Sequence, residues 1–476
     1  MNLAGPAFTH VMDGDDLMFF AKASSQEVQI LDGCLEQYCA WSGQRVNRDK
    51  SGLIFSKHVN RDRRRVIKQI LHMKKAPPNA IYLGAPLFPS ASKVKDFQYL
   101  LNKVKSRLTG WRSKMLSWVG RCTMINSVVS AIPVHSFSTF DVPASICNKL
   151  DASARRFWWN PKKTSGRFVS WKSWDKLCLP KLFGGLGFRQ AKLLNDALLA
   201  KFTWFVISNK ESPCFNALRS KYKVRGGWMH REPFKNALST WRAIERLRPV
   251  IKQEACFIVG DGSNIDYWKD PWVLWLPSFL PCPKDASVQH GSLIVSNLII
   301  QSSKSWNVPL LTELFDPVSV EAIYRIPIPL AYKQDKLVWV ANSKGEFSVK
   351  SDAKVIQAPF LAVPCHPVWK LLWKSKLHER LKTFIWRIGS DTLPTNLKLH
   401  LKMGIGDPCC PLCLGTEEST VHLFFKCPVT RAIWFRLCWG LRPNDIPVLN
   451  ELDIVKCVVS PHVCLPSIEI ASHTSI

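Results

Sequence analysis

Four residues carry the clearest chemistry in this chain: Cys410, Cys413, His422 and Cys427. Cys410-Pro-Leu-Cys413 has knuckle spacing, in which one tight turn presents two thiolates to the same ion. Eight residues separate Cys413 from His422, and four separate His422 from Cys427, so a second pair returns to complete a set of three sulfurs and one imidazole. Cys409 is an alternative to Cys410, at the cost of lengthening the first spacing to three. A closed tetrahedral set leaves no open coordination position. The expected ion is therefore structural zinc, which stabilises folding and does no chemistry. A second candidate is the adjacent pair Asp15 and Asp16, framed by apolar residues in HVMDGDDLMFFAKAS. Adjacent carboxylates on a tight hairpin can hold divalent metal, as two-metal phosphoryl transfer requires. On its own, an acidic pair in a polar turn is far more often simply solvated.

The charge balance points to a polyanion. Lys and Arg number 65 against 36 Asp and Glu, a net charge of +29 at pH 7. Neutralising phosphates with such cations releases condensed counterions, which favours nucleic acid, RNA or DNA, as the partner. The plainer alternative is a basic protein with a merely solvated surface. Two basic runs stand out. One is RDRRRVIKQILHMKK, with Arg63, Arg64, Arg65 and Lys68; the other holds Lys103, Lys105, Arg107, Arg112, Lys114 and Arg121. With 46% hydrophobic and 21% charged residues, the chain can bury cores and does not have a disordered composition. Its 16 cysteines are widely scattered apart from the one tight group, which fits reduced thiols in the nucleus or cytoplasm and not a secreted disulfide scaffold. The N-terminal residues do not read as a signal peptide, and no apolar run approaches the ~18 residues of a membrane span.

The elements that must position these residues read as α+β and multidomain. HVMDGDDLMFFAKAS is a hairpin pattern with Gly14 near its turn. A helix follows from Ser24 or Ser25 to a stop at Gly43, with Val28, Leu31, Leu35 and Tyr38 on one face. SGLIFSK is a strand, RDRRRVIKQILHMKK a basic helix, and AIYLGAPLF a strand and turn. In KVKDFQYLLNKVKSRLTGW, Val94, Phe97, Leu101, Val104 and Leu108 form one apolar stripe, with Lys93, Lys95, Lys103, Lys105 and Arg107 opposite. A helix stopped by Pro133 and another from Ala144 to Trp159 complete a helical unit. Hairpins are expected at Asp261–Gly262 and at Ser343–Gly345. Trp171, Trp174, Trp204, Trp268 and Trp272 read as core more readily than as base-stacking platforms. A Pro-rich linker is expected near 358–369, then a helix in WKLLWKSKLHERLKTFIWRIGS, the cysteine cluster, and 441–476 without clear periodicity.

HVMDGDDLMFFAKAS resembles the catalytic palm hairpin of reverse transcriptases. The segments WSGQRVNRDKSGLIFS, IYLGAPLF, LTGWRSKMLSWVGRCTMINSVVSAIP, RRFWW, WDKLCLPKLFGGLGFR, YWKDPW and HLFFKCPVTRAIW follow in the order found in plant LINE-type (non-LTR) reverse transcriptases. The resemblance covers nearly residues 8–440. It implies a truncated palm over 1–89, a helical thumb over 90–160, an irregular connecting region with β-hairpins over 161–357, a small helical zinc-binding domain over 358–440, and a tail, 441–476, too short for a ribonuclease H domain. It further implies that Asp15 and Asp16 match the metal-binding aspartates, that Cys410, Cys413, His422 and Cys427 are zinc ligands, and that the basic residues of 103–121 are phosphate contacts. Asp13 stands where the family has an aromatic residue. The fingers and an upstream palm aspartate are expected to be missing, so the two aspartates are vestigial, and Mg²⁺ would be held only if polymerase activity survives. The expected function is an inactive reverse-transcriptase fragment that still binds nucleic acid and zinc. The alternatives are a host-adopted nucleic-acid-binding protein or a zinc-dependent protein-interaction module.

Overall fold

The computed structural model describes residues 8–461 apart from 79, 89, 91, 111–113, 164, 225–227, 286–292, 361–364 and 438–441. Arg112 and part of the expected Pro-rich linker lie outside the described residues. The chain forms two compact units interleaved along the sequence. One comprises Met1–Gln98, Thr203–Ala237 and Phe257–Leu337; the other comprises Tyr99–Phe202, Leu238–Cys256 and Val338–Ile476. The consecutive boundaries expected at 90, 161 and 358 are thus not the boundaries of compactness. The helical segment from 99 onward shares a unit with the C-terminal region, and 161–357 is divided between both units. The reason is long-range burial: Trp158 packs edge-on against Trp386, with centroids 6.3 Å apart. Every described sheet is two-stranded, and no described helix is long and apolar enough to cross a membrane.

In the first unit, the strands His10–Asp13 and Asp16–Phe19 pair antiparallel, with Asp13 opposite Asp16. Gly14, at φ +61°, supplies the left-handed conformation that the two-residue turn needs. The helix Ser25–Ser42 starts at Ser24, whose hydroxyl takes the Glu27 N–H, and stops at Gly43 in the left-handed region. It packs on the basic helix Arg61–Leu71 through Val28, Ile67 and Leu71. Arg48 ties the two together by donating to the Leu71 carbonyl (2.6 Å) and to Asp32 (2.9 Å). Tyr38, expected on the buried face, is 52% exposed.

A larger core in the same unit gathers Tyr267, Trp272, Val295, Trp306 and Phe315. The Asp261–Gly262 turn forms, but among the described residues no pair of strands meets across it. The Asp335 carboxylate instead accepts the N–H groups of Gly260, Gly262 and Asn264 at 2.7, 2.9 and 3.0 Å. A hairpin not anticipated from the sequence pairs Ile299–Ile300 with Ser305–Trp306.

The stripe expected to be continuous from Val94 breaks at Phe97, which caps the short helix Lys93–Asp96 at the end of the first unit's leading segment. Val94 is left 39% exposed, while Leu100, Leu101, Val104 and Leu108 are buried on the helix Gln98–Thr109. In the second unit, Trp118–Met124 continues into a π-helical turn, Ile125–Val129, and the helix Ala144–Trp159 has the expected bounds. Trp158 lies at the centre of an aromatic cluster with Trp118 (4.9 Å), Phe188 (5.3 Å) and Trp386. The paired glycines of LFGGLGF serve this packing. A Cβ on Gly185 would fall 1.9 Å from the Leu179 carbonyl oxygen, and the neighbouring Gly184 carbonyl accepts the Trp386 indole N–H at 3.0 Å. The turn expected at Ser343–Gly345 forms, with the Trp339 N–H on the Gly345 carbonyl at 2.9 Å. Its return arm is not a strand, because Ser348 caps the helix Val349–Gln357.

The last part of the chain is not a bare tail. Ile446, Val448, Ile454 and Cys457 join Ile388, Leu393 and Val421 in one core. Helix Glu451–Val459 begins with a capping box at Asn450 and Asp453. It crosses Glu379–Gly389 closely enough that a Cβ on Gly389 would meet Val455 Cγ2 at 2.5 Å.

Asp352 is fully buried on Val349–Gln357, and neither carboxylate oxygen has a hydrogen-bond partner. Burial, and then the charge of Asp196, push its pKa from 3.8 up to about 7. A raised folded-state pKa means that stability present below the unfolded-state value is lost as pH rises toward 7. Asp352→Asn should therefore stabilise this unit by on the order of 2–4 kcal/mol at about pH 8 and much less at about pH 4.5. Melting curves of both proteins at the two pH values test this; equal shifts would show that Asp352 does not titrate in this range.

Candidate metal centre

The centre is assembled by two short segments. The helix Asn396–Met403 ends at Gly404, and Asp407 then accepts the Cys409 N–H at 2.9 Å. The knuckle closes on itself: the Cys410 N–H donates to the Thr416 carbonyl and the Leu414 N–H to the Cys410 carbonyl, both at 2.8 Å. Leu414 adopts the left-handed conformation, φ +56°. The Glu418 carboxylate, itself buried, accepts the Asn396 N–H at 2.6 Å and pins the loop to the preceding helix. The second segment is a π-helical turn, His422–Lys426, in which the Cys427 N–H donates to the His422 carbonyl at 2.8 Å. An i to i+5 bond places its two ends nearly one above the other, so this wide turn sets His422 and Cys427 on the same side. An ordinary α-helix would place residues five apart about 140° from each other around its axis.

The four ligand atoms lie within 4.8 Å of one another. Cys410 and Cys427 sulfurs are 4.0 Å apart, and the Cys413 sulfur is 3.4 Å from His422 Nε2. Zinc bonds of ~2.3 Å to sulfur and ~2.0 Å to nitrogen give tetrahedron edges of roughly 3.5–3.8 Å, so the donor set fits. A disulfide would require sulfurs ~2.05 Å apart, and this arrangement does not offer that. Cys410 and Cys427 are fully buried, and His422 is nearly so. Cys410, and not Cys409, belongs to the group. The Gly415 N–H, with help from His422, Cys410 and Cys427, draws the Cys413 thiol down to about 6, whereas burial pushes Cys410 up. Thr416, not singled out from the sequence, has its hydroxyl 3.1 Å from His422 Nδ1, so the nitrogen away from Cys413 has its own partner.

The remaining candidates do not form one site. Asp15 lies in the hairpin turn and Asp16 opens the second strand, both exposed. Among the described residues, the cysteine–histidine group is the one cluster of three or more metal-capable side chains, so no third ligand joins the two aspartates. Arg63, Arg65 and Lys68 are exposed on the first unit. Arg64 instead donates to the Ser56 carbonyl at 3.1 Å and lies over Phe55. Lys103, Lys105 and Arg107 are exposed on the second unit, with Lys103 5.4 Å from the Tyr99 ring centroid. Lys114 and Arg121 are half-buried there. Trp174, Trp204 and Trp272 are core residues.

The family described as zinc-binding in reverse transcriptase matches residues 347–434, which contain the whole cluster. An uncharacterized mitochondrial protein of Arabidopsis thaliana is 32% identical over 145 residues, covering 94% of that protein and 30% of this chain. The chain belongs to the reverse-transcriptase-related proteins. A second Arabidopsis thaliana relative, named provisionally as a ribonuclease H protein, is 31% identical over 368 residues, 74% of this chain. The chain spans 57% of that relative's length. For this reverse-transcriptase-related chain, removing metal should expose the C-terminal core. Dialysis against a chelator, or Cys427→Ser, should speed amide hydrogen exchange over 393–460 and leave the Val28–Ile67–Leu71 core protected. Cys409→Ser should leave exchange unchanged. Unaltered exchange after chelation would contradict a metal-dependent fold.

Proposed function

We propose that this chain is a nucleic-acid-holding, zinc-stabilised part of a plant LINE-type reverse transcriptase and does not itself join nucleotides. The observation that carries the proposal is the cysteine–histidine cluster lying inside the matched zinc-binding region, on a chain of net charge +29. Zinc, when bound, supplies structure: Cys410, Cys413, His422 and Cys427 would hold it with no position left for substrate. Exposed Arg63, Arg65 and Lys68 on one unit, and Lys103, Lys105 and Arg107 on the other, are cations available to phosphate. Asp15 and Asp16 match the catalytic pair, but two exposed carboxylates that no third ligand joins among the described residues hold Mg²⁺ weakly.

Fluorescence anisotropy with labelled single-stranded RNA and DNA tests the binding claim. Affinity should fall steeply between about 50 and 200 mM salt. Replacing Arg63, Arg65 and Lys68 with Gln should weaken binding roughly tenfold or more and flatten the salt slope by up to about three. Affinity that ignores salt would sink the proposal. In primer extension with Mg²⁺, the chain should yield no more product than its Asp15→Asn, Asp16→Asn variant; templated product above that control would overturn the claim of inactivity.

A further inference from the structure

The second unit contains two guanidinium groups beside one indole. Arg121 lies 4.5 Å and Arg387 4.2 Å from the Trp118 ring centroid. Trp118 is itself held edge-on by Trp158 (4.9 Å) and Trp159 (6.0 Å), so the indole is a fixed surface. Arg121 comes from Trp118–Met124 and spends donors on the Leu116 and Trp158 carbonyls, at 3.2 and 3.0 Å. Arg387 comes from Glu379–Gly389, and its buried Nε has no hydrogen-bond partner. Among the described residues, neither arginine has a carboxylate within ion-pair distance. Other cations of the same unit do: Lys192 has Asp141 at 2.9 Å, Arg246 has Asp196 at 2.8 Å, and Lys382 has Glu379 at 2.9 Å. Burial, followed by the neighbouring charge of Arg121, draws Arg387 down to about 10. Two like charges, half removed from water and without a counter-charge, are costly in the free protein, and an anion placed between them would relieve that cost.

We infer that Arg121 and Arg387, oriented by Trp118, form a clamp for a phosphodiester group of the bound nucleic acid strand. The inference rests on the nucleic-acid reading above and adds a residue, Arg387, that the sequence did not single out. Phosphate is the matching anion because the planar guanidinium fork engages two of its oxygens at once. Cation–π contact with Trp118 holds the forks in place before the strand arrives. Guanidinium groups already lie over the Trp118 ring, so the clamp grips backbone and does not stack a base.

The test uses the full zinc-loaded chain and anisotropy with a labelled single-stranded RNA and the DNA of the same sequence. Arg387→Gln should weaken binding to both by about tenfold and flatten the salt slope by about 0.7–0.9. Arg387→Lys should restore the slope but not the full affinity, because it returns the charge without the fork. The melting temperature of Arg387→Gln should be no lower than that of the parent chain, since in the free protein the charge has no partner. Wild-type affinity and slope in Arg387→Gln would overturn the clamp while leaving the nucleic-acid reading intact. A melting temperature several degrees lower, with full affinity rescue by Arg387→Lys, would also overturn it and make Arg387 structural. Failure of the parent chain to bind either polymer would instead overturn the nucleic-acid reading, and the clamp with it.

Discussion

Three sulfurs and an imidazole gathered within 4.8 Å of one another are the constraint around which the C-terminal part of the chain is arranged. Ionised thiolates at that separation repel strongly away from water, and keeping them protonated forgoes their affinity for metal. A divalent cation at the centre removes the conflict. The turn that delivers His422 and Cys427 also carries Val421, Phe424 and Phe425 into the core with Ile388, Ile446 and Ile454. Closing the metal site and closing that core are therefore the same local event. The knuckle contributes the opposite half through Cys410, whose backbone is fixed by Thr416 and whose side chain is fully buried.

The same core connects the metal centre to the rest of its unit. Glu379–Gly389 presents Ile388 to the cysteine-bearing module, Gly389 to Val455, Trp386 to Trp158, and Arg387 to Trp118. One helix thus meets the zinc module on one side and the aromatic cluster and paired arginines on another. The helical segment from Tyr99 and the C-terminal region belong to one compact unit for this reason. Rigid placement of side chains around such a helix is the kind of scaffold on which a backbone-gripping site can be held without a large loop rearrangement.

What the sequence revealed depended on how local the determining interaction was. Cys410, Cys413, His422 and Cys427 were legible because two short spacings bring them together. Choosing Cys410 over Cys409 was legible too, because only Cys410 keeps the two-residue knuckle spacing to Cys413. The helix Ala144–Trp159 was legible from its periodicity. The break at Phe97 was not, since the apolar stripe runs across it unbroken and only packing leaves Val94 outside. The Asp261–Gly262 turn was visible, but the group that organises it is Asp335, more than seventy residues away. Residues 442–460 showed no periodicity because their apolar side chains contribute to a core built mostly by other segments. Arg387 is one of several charges on an amphipathic helix, and its meaning depends on Trp118 and Arg121, far upstream in sequence.

X-ray absorption at the zinc edge of the purified chain tests the central claim most directly. The account predicts a four-coordinate first shell of three sulfurs at ~2.3 Å and one nitrogen at ~2.0–2.1 Å, with one sulfur lost in Cys410→Ser and none lost in Cys409→Ser. A shell of only oxygen and nitrogen donors, or one that keeps all three sulfurs in Cys410→Ser, would contradict it.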